Sequence, residues 1–223
     1  MEGVPCTAKD VMDNMEEVAK KLCMYHEMEI KTNQREENIW NKFNFLIKLI
    51  DKNSFQGWGI TYHQIREEVE EMKEIFEGKK KILPTAYSHN DFNIYNLILN
   101  KNNENKNVIS IIDHEYSGYN FISYDIANFF NEWMGIEFDV SCYPSFSIQK
   151  NFVEFYLNYY NHFSSFSIKP HFSPVYFSPE LYGEINMFSM VSSNNLFSFF
   201  LSKFFYYFIQ NRSTLDNLGR NPI

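Results

Sequence analysis

One short stretch constrains the fold of this chain more than any other. The apolar runs "NLIL" (Asn96 to Leu99) and "VISII" (Val108 to Ile112) face each other across the polar tract "NKNNENKN", Asn100 to Asn107. Two such runs joined through turn-forming residues read as a β-hairpin, and the Asn-rich insert reads as its flexible tip. On both sides of this hairpin the pattern is helical. Thr7 and Asp10 form a capping box, after which Val11, Met15, Val18, Leu22 and Tyr25 recur at helical spacing up to His26. Further helices are expected over 39–50 and 65–76, the latter with Ile65, Val69, Met72, Ile75 and Phe76 on one face and Glu67, Glu68, Glu70 and Glu71 on the solvated one. Polar turns with Gly57 and Gly59 separate these helices, and Pro84 stops any helix before the hairpin. Helices follow from Tyr124, over Gln149 to His162, and from about Pro179 to Gln210, with a Ser/Pro/Phe-rich loop over 164–178. The expectation is one α+β domain over residues 1–223, mostly α.

Composition narrows the partners. A formal net charge of −8 disfavours a general nucleic-acid or anionic-membrane binder, because neutralising phosphates takes clustered Lys and Arg. A cationic or neutral small molecule suits the chain better. Cys6, Cys23 and Cys142 are an odd set without CxxC spacing, so neither a disulfide framework nor a zinc knuckle is indicated and a reducing cytoplasm is the expected compartment. The N-terminus lacks the basic and apolar regions of a signal peptide. The greasiest stretch, Leu196 to Ile209, is too short for a bilayer and holds Lys203, so it reads as a buried or amphipathic helix with Phe197, Phe200, Phe204 and Phe205 in the core.

The hairpin presents two polar clusters, "HNDFNIYN" at the entry to its first strand and "DHEYSGYN" at the exit from its second. Antiparallel pairing would let Asp91, Asn96, Asp113 and Glu115 converge. Three carboxylates and an amide oxygen are a hard-oxygen set suited to Mg²⁺, which points to phosphoryl transfer. The spacing agrees: a His-x-Asp, an Asn five residues after that Asp, and an Asp ending a later strand repeat the layout of kinase catalytic sites. A rival set, His89, Asp91 and a distant histidine such as His162, would make a two-histidine, one-carboxylate iron site, but it leaves Asn96 and the second cluster unused.

In more detail, "HNDFNIYN" and "IDHEYSGYNFISYDIANFFNEW" resemble the choline/ethanolamine kinase family, with a weaker likeness from "EGVPCTAKDV" and "VAKKLCMYHEM" through "IREEVEEMKEIF" to "YPSF". "IDHEYSGYN" and the glycine of "NEWMGIEFDVSCYP" are more similar to the ethanolamine branch. The resemblance implies a protein-kinase-like C-terminal lobe with a small catalytic hairpin, using ATP and Mg²⁺ on ethanolamine or choline in the cytoplasm for phospholipid head-group synthesis, and it leaves a homodimer open. By position, Asp91 would be the catalytic base, Asn96 and Asp113 the magnesium ligands, and Glu115 their support. Asn93, Tyr116 and Glu132 would meet the substrate ammonium. His89 and Asp125 would be structural supports of the loop. Leu196 and Phe199 stand where the family shows two tryptophans, a weakened cage that should affect ethanolamine less than choline. The chain begins at what in the family is the end of the interlobe hinge, so the N-terminal lobe with its phosphate-covering loop and lysine is expected to be absent. Three readings of that gap stay open: an active kinase, a non-catalytic remnant serving as a binding module, and a sequence that continues upstream of Met1.

Overall fold

The computed structural model describes residues 3–30, 62–78, 82–101, 107–135, 139–166, 174–186 and 188. The expected helix over 39–50, the greasy stretch over 196–209, the glycine turns, His171 and Phe199 lie outside those residues.

Strand β1 (Val4–Pro5) leads into α1 (Ala8–Asp13), whose capping box is made as expected, with Thr7 and Asp10 exchanging side-chain and backbone hydrogen bonds. The single helix expected up to His26 is broken. Asn14, at φ −125° and ψ 27°, separates α1 from α2 (Met15–His26), and its Nδ2 donates to the Asp10 carbonyl at 2.7 Å. A short amide side chain competes here for the backbone acceptors that a continuous helix would use. The apolar stripe survives the break: Val11, Met15, Val18, Leu22 and Tyr25 are all buried.

Helix α3 (Tyr62–Gly78) exposes Glu67, Glu70 and Glu71, as its pattern requires. His63 sits 3.0 Å from Glu67 one turn on, with both side chains in solvent.

The hairpin forms from β3 (Leu97–Lys101) and β4 (Asn107–Ile111), so three residues of the polar tract extend its strands. Its register pairs Leu97 with Ile111 and Leu99 with Ile109. β1 adds to the outer side of β3, giving a three-stranded sheet in the order β1-β3-β4. A second antiparallel pair, unread in the sequence, joins β2 (Thr85–Ser88) to β5 (Gly118–Phe121). These four-residue strands carry no alternation long enough to be recognised. Beyond β5 come α4 (Ile122–Asn131), α5 (Phe146–Phe166), longer at both ends than its pattern, and α6 (Pro179–Asn186).

Helix α2 packs along α5 and touches both sheets. Phe92, Phe129, Phe130, Phe152, Tyr156, Leu22, Leu83 and Leu97 are the largest fully buried side chains among the described residues, each stabilising the fold by about 1.5–3 kcal/mol. No helix among the described residues is long and apolar enough to cross a membrane.

A buried carboxylate closes this core at the other end. Glu184 of α6 accepts the backbone N–H groups of Ile82 and Leu83 at 2.7 and 3.3 Å, and the hydroxyl of Ser123 donates to the same carboxylate. Glu184→Ala would leave three buried donors unmatched and should lower unfolding stability by about 2–4 kcal/mol in a urea titration. A loss below about 0.5 kcal/mol would show that water replaces the carboxylate.

Candidate functional site

The turn between β2 and β3 owes its shape to Asp125 in α4. This fully buried carboxylate accepts the backbone N–H of His89 at 2.7 Å and that of Asn90 at 2.8 Å, and His26 Nε2 lies 3.1 Å from it. Asn90 takes φ +64°, a left-handed conformation that asparagine tolerates better than most residues. Its Nδ2 donates to the carbonyls of Tyr116 and Gly118, and its Oδ1 accepts from Asn120 Nδ2 at 2.7 Å. The turn is thereby tied to both strands of the β2–β5 pair.

Asp91 follows on the fixed turn, half-buried. Asn93 Nδ2 donates to its Oδ1 at 3.2 Å and Asn96 Nδ2 to its Oδ2 at 3.0 Å, so two amides from one short 3₁₀ segment fix the orientation of the carboxylate. Burial pushes its pKa up, Asn96, His89 and Asn93 pull the other way, and Asp113 adds to the rise. Asn93 Oδ1 also caps the 3₁₀ turn through the N–H groups of Tyr95 and Asn96. Asn93 therefore meets a ligand only by giving up one of these bonds.

Across the hairpin, the Ile112 N–H donates to the Asn96 carbonyl at 3.0 Å and sets Asp113 beside the start of β3. Asp113 is exposed, at φ +62°. Its carboxylate and the side-chain oxygen of Asn96 accept no hydrogen bond among the described residues. Two unspent oxygens thus lie at the same open end of the hairpin, one on Asn96, opposite Ile112, and one on the left-handed residue that follows Ile112. Glu115 and Tyr116 follow, exposed and half-buried respectively. Among the described residues no three His, Cys, Asp or Glu side chains gather as metal ligands. Among those residues the expected convergence of Asp91, Asp113 and Glu115 is not a closed carboxylate shell, and His89, which is buried, forms no two-histidine site with His162, which is exposed on α5. The Asn96–Asp113 pair still fits Mg²⁺, which keeps several waters and takes few protein ligands.

His89 is wholly buried; its Nε2 donates to the Ile112 carbonyl at 2.9 Å. It packs against Tyr25, Phe92 and His114, joining the turn to the exit of β4. Three contacts escaped the sequence reading because their residues lie far away in the chain. Tyr25 Oη lies 3.1 Å from His114 Nδ1 and 2.6 Å from Ser117 Oγ, and His26 reaches Asp125. Only the fragment "LCMYHEM" hinted at any of them.

A family model described as choline/ethanolamine kinase matches residues 1–207. The probable ethanolamine kinase B of Dictyostelium discoideum is 44% identical over 86 residues, which are 39% of this chain and 18% of that protein. Human ethanolamine kinase 1 is 39% identical over 103 residues, 46% of this chain and 22% of that protein. The chain thus spans well under half the length of these relatives. Among solved structures, the Plasmodium vivax ethanolamine kinase superposes with a TM-score of 0.59 at 26% identity, covering 71% of this chain and 48% of that one. The mainly helical, protein-kinase-like fold class expected from the sequence is the one found.

Glu132, in the 3₁₀ turn that continues α4, carries the clearest electrostatic signature. Burial, and after it the negative charge of Asp91, push its carboxyl from the ordinary 4.5 up to about 7. Between these values the folded protein keeps a proton that the unfolded chain has released, so stability is full below pH 4.5 and falls as pH rises to 7. Relative to Glu132→Gln, the wild type should lose about 3 kcal/mol across that window. Urea titrations of both chains at pH 4.5 and 7.5 measure it, and a constant difference would contradict the burial of this charge.

Proposed function

The chain belongs to the choline/ethanolamine kinase family, and from that premise we propose that it phosphorylates ethanolamine with Mg²⁺ and ATP, in the cytoplasmic synthesis of phosphatidylethanolamine. One observation carries this reading: Asp91, oriented by two amides, is hydrogen-bonded to Asn96, and the Asn96 carbonyl in turn holds the N–H of Ile112, the residue before Asp113. A base for an alcohol and a place for a hard cation share one turn.

In the reaction the substrate hydroxyl oxygen forms a bond to the γ-phosphorus, the bond from that phosphorus to the β,γ-bridging oxygen breaks, and the hydroxyl proton passes to Asp91. Asp91 holds the alcohol in line for this displacement, which supplies most of the acceleration in phosphoryl transfer. Asn96 and Asp113 would hold the metal, whose charge neutralises the phosphate oxygens when bound. Glu115 would support that shell, and Glu132 with Tyr116 would attract the ammonium. Choline is the second acceptor, favoured by the choline kinases among the relatives; mouse choline kinase alpha is 25% identical over 195 residues.

Transfer of labelled phosphate from Mg-ATP to each alcohol tests the reading. Asp91→Asn should lower turnover by roughly 10²–10⁴-fold, the usual size of a positioned base; turnover at the wild-type level would reject its role. Asp113→Ala should act through magnesium and respond to raised Mg²⁺. A variant indifferent to Mg²⁺ would remove Asp113 from the metal site.

A further inference from the structure

No motif singles out Tyr124. It lies in the first turn of α4, with Asn128 and Glu132 four and eight residues further on, so the three share one stripe of the helix and its 3₁₀ continuation. That stripe meets the catalytic turn, since Asn128 Nδ2 donates to the Phe92 carbonyl at 3.3 Å and Glu132 lies in the field of Asp91. On one side the ring of Tyr124 is covered edge-on by Phe188, with centroids 5.6 Å apart and planes at 81°. Phe188 is itself held by stacking on Phe121 and by a hydrogen bond from Asn131 Nδ2 to its carbonyl at 3.1 Å. The ring is fixed while its hydroxyl makes no hydrogen bond among the described residues. Burial, then the charges of Asp125, Asp91 and Glu132, push its ionisation far up, so the hydroxyl remains a neutral phenol among carboxylates. It offers one proton and two lone pairs.

We propose that the Tyr124 hydroxyl helps select the acceptor alcohol, accepting an N–H from a primary ammonium attracted by Glu132 and so adding to the preference for ethanolamine over choline. The inference rests on the amino-alcohol reading above and adds a residue that tells the two alcohols apart. Aromatic faces and net charge attract primary and quaternary ammonium alike. A hydrogen-bond acceptor distinguishes them: the carboxylate can accept from the primary nitrogen alone, and the quaternary nitrogen, with no N–H to give, would also bury the phenol oxygen unpaired.

Tyr124→Phe keeps the ring against Phe188 and removes only the oxygen. Calorimetric titration of ethanolamine and of choline into the wild type and the variant, with phosphate transfer measured alongside, decides the matter. Expected is a loss of about tenfold in ethanolamine affinity, the worth of one charge-assisted hydrogen bond, with choline unchanged within about twofold. Equal effects on both alcohols, or no effect on either, would overturn the inference. Transfer to ethanolamine with an unchanged affinity ratio removes the inference alone. A collapsed ratio without transfer leaves the inference standing and removes the transferase reading. If neither alcohol binds the wild type, both fall.

Discussion

The site depends on one buried charge. Asp125 has no exposed surface, and an ion taken out of water costs several kcal/mol unless hydrogen bonds replace its hydration. Here the replacement consists of two backbone N–H groups and His26 Nε2. On the far side of that imidazole, Nδ1 lies 2.8 Å from the hydroxyl of Tyr156, which burial keeps protonated. A carboxylate only accepts, so the Nε2 proton points at Asp125, and the Tyr156 hydroxyl completes the contact at Nδ1. A single chain of hydrogen bonds joins α5, α2 and α4 to the turn that carries Asp91. The same contacts that satisfy the charge fix the backbone of His89 and Asn90, so the cost of burial and the placement of the site cannot be separated.

The electrostatics of the site follow from what that arrangement leaves over. Asp91 and Glu132 are both pushed up by burial, and each is destabilised by a neighbouring carboxylate. Asp91 is partly relieved by two amide donors. Glu132, with its value near 7, has no comparable relief in the causes of its shift. A cationic group arriving between them removes the repulsion and favours the ionised form of both. The site is thus stabilised by the kind of ligand that the overall negative charge already favours.

The sequence made some of this legible and concealed the rest for identifiable reasons. The hairpin could be read because its two apolar runs flank a polar tract, and a hairpin makes near neighbours of the residues at its open end. Asn96 and Asp113 are accordingly legible as neighbours of the hairpin's open end, and the ladder pairs Asn96 with Ile112, one residue before Asp113. The Thr7 box could be read because both partners lie within one turn. His26, 99 residues from Asp125, belongs to a helix whose apolar pattern gives no reason to expect a polar partner. The β2–β5 pair is likewise held by a distant register and by the Asn90–Asn120 amides. The break at Asn14 turns on one side chain outbidding a helical periodicity that runs unbroken through it.

Register links core to chemistry. Leu97 and Ile109 are almost wholly buried, and Leu99 and Ile111 pack partly against the same core, so one face of the hairpin is fixed by apolar contact. Side chains alternate along a strand, and a slip of β4 by one residue would turn Ile109 and Ile111 outward. It would also break the Ile112–Asn96 hydrogen bond, the next rung of that ladder, and so shift Asp113 along β3. The left-handed backbone of Asp113 is disfavoured by about 1–2 kcal/mol, less than the burial of two of those aliphatic side chains contributes. The hydrophobic register therefore holds the strained carboxylate in position, and the apolar residues of the hairpin are as much a part of the site's geometry as the polar ones.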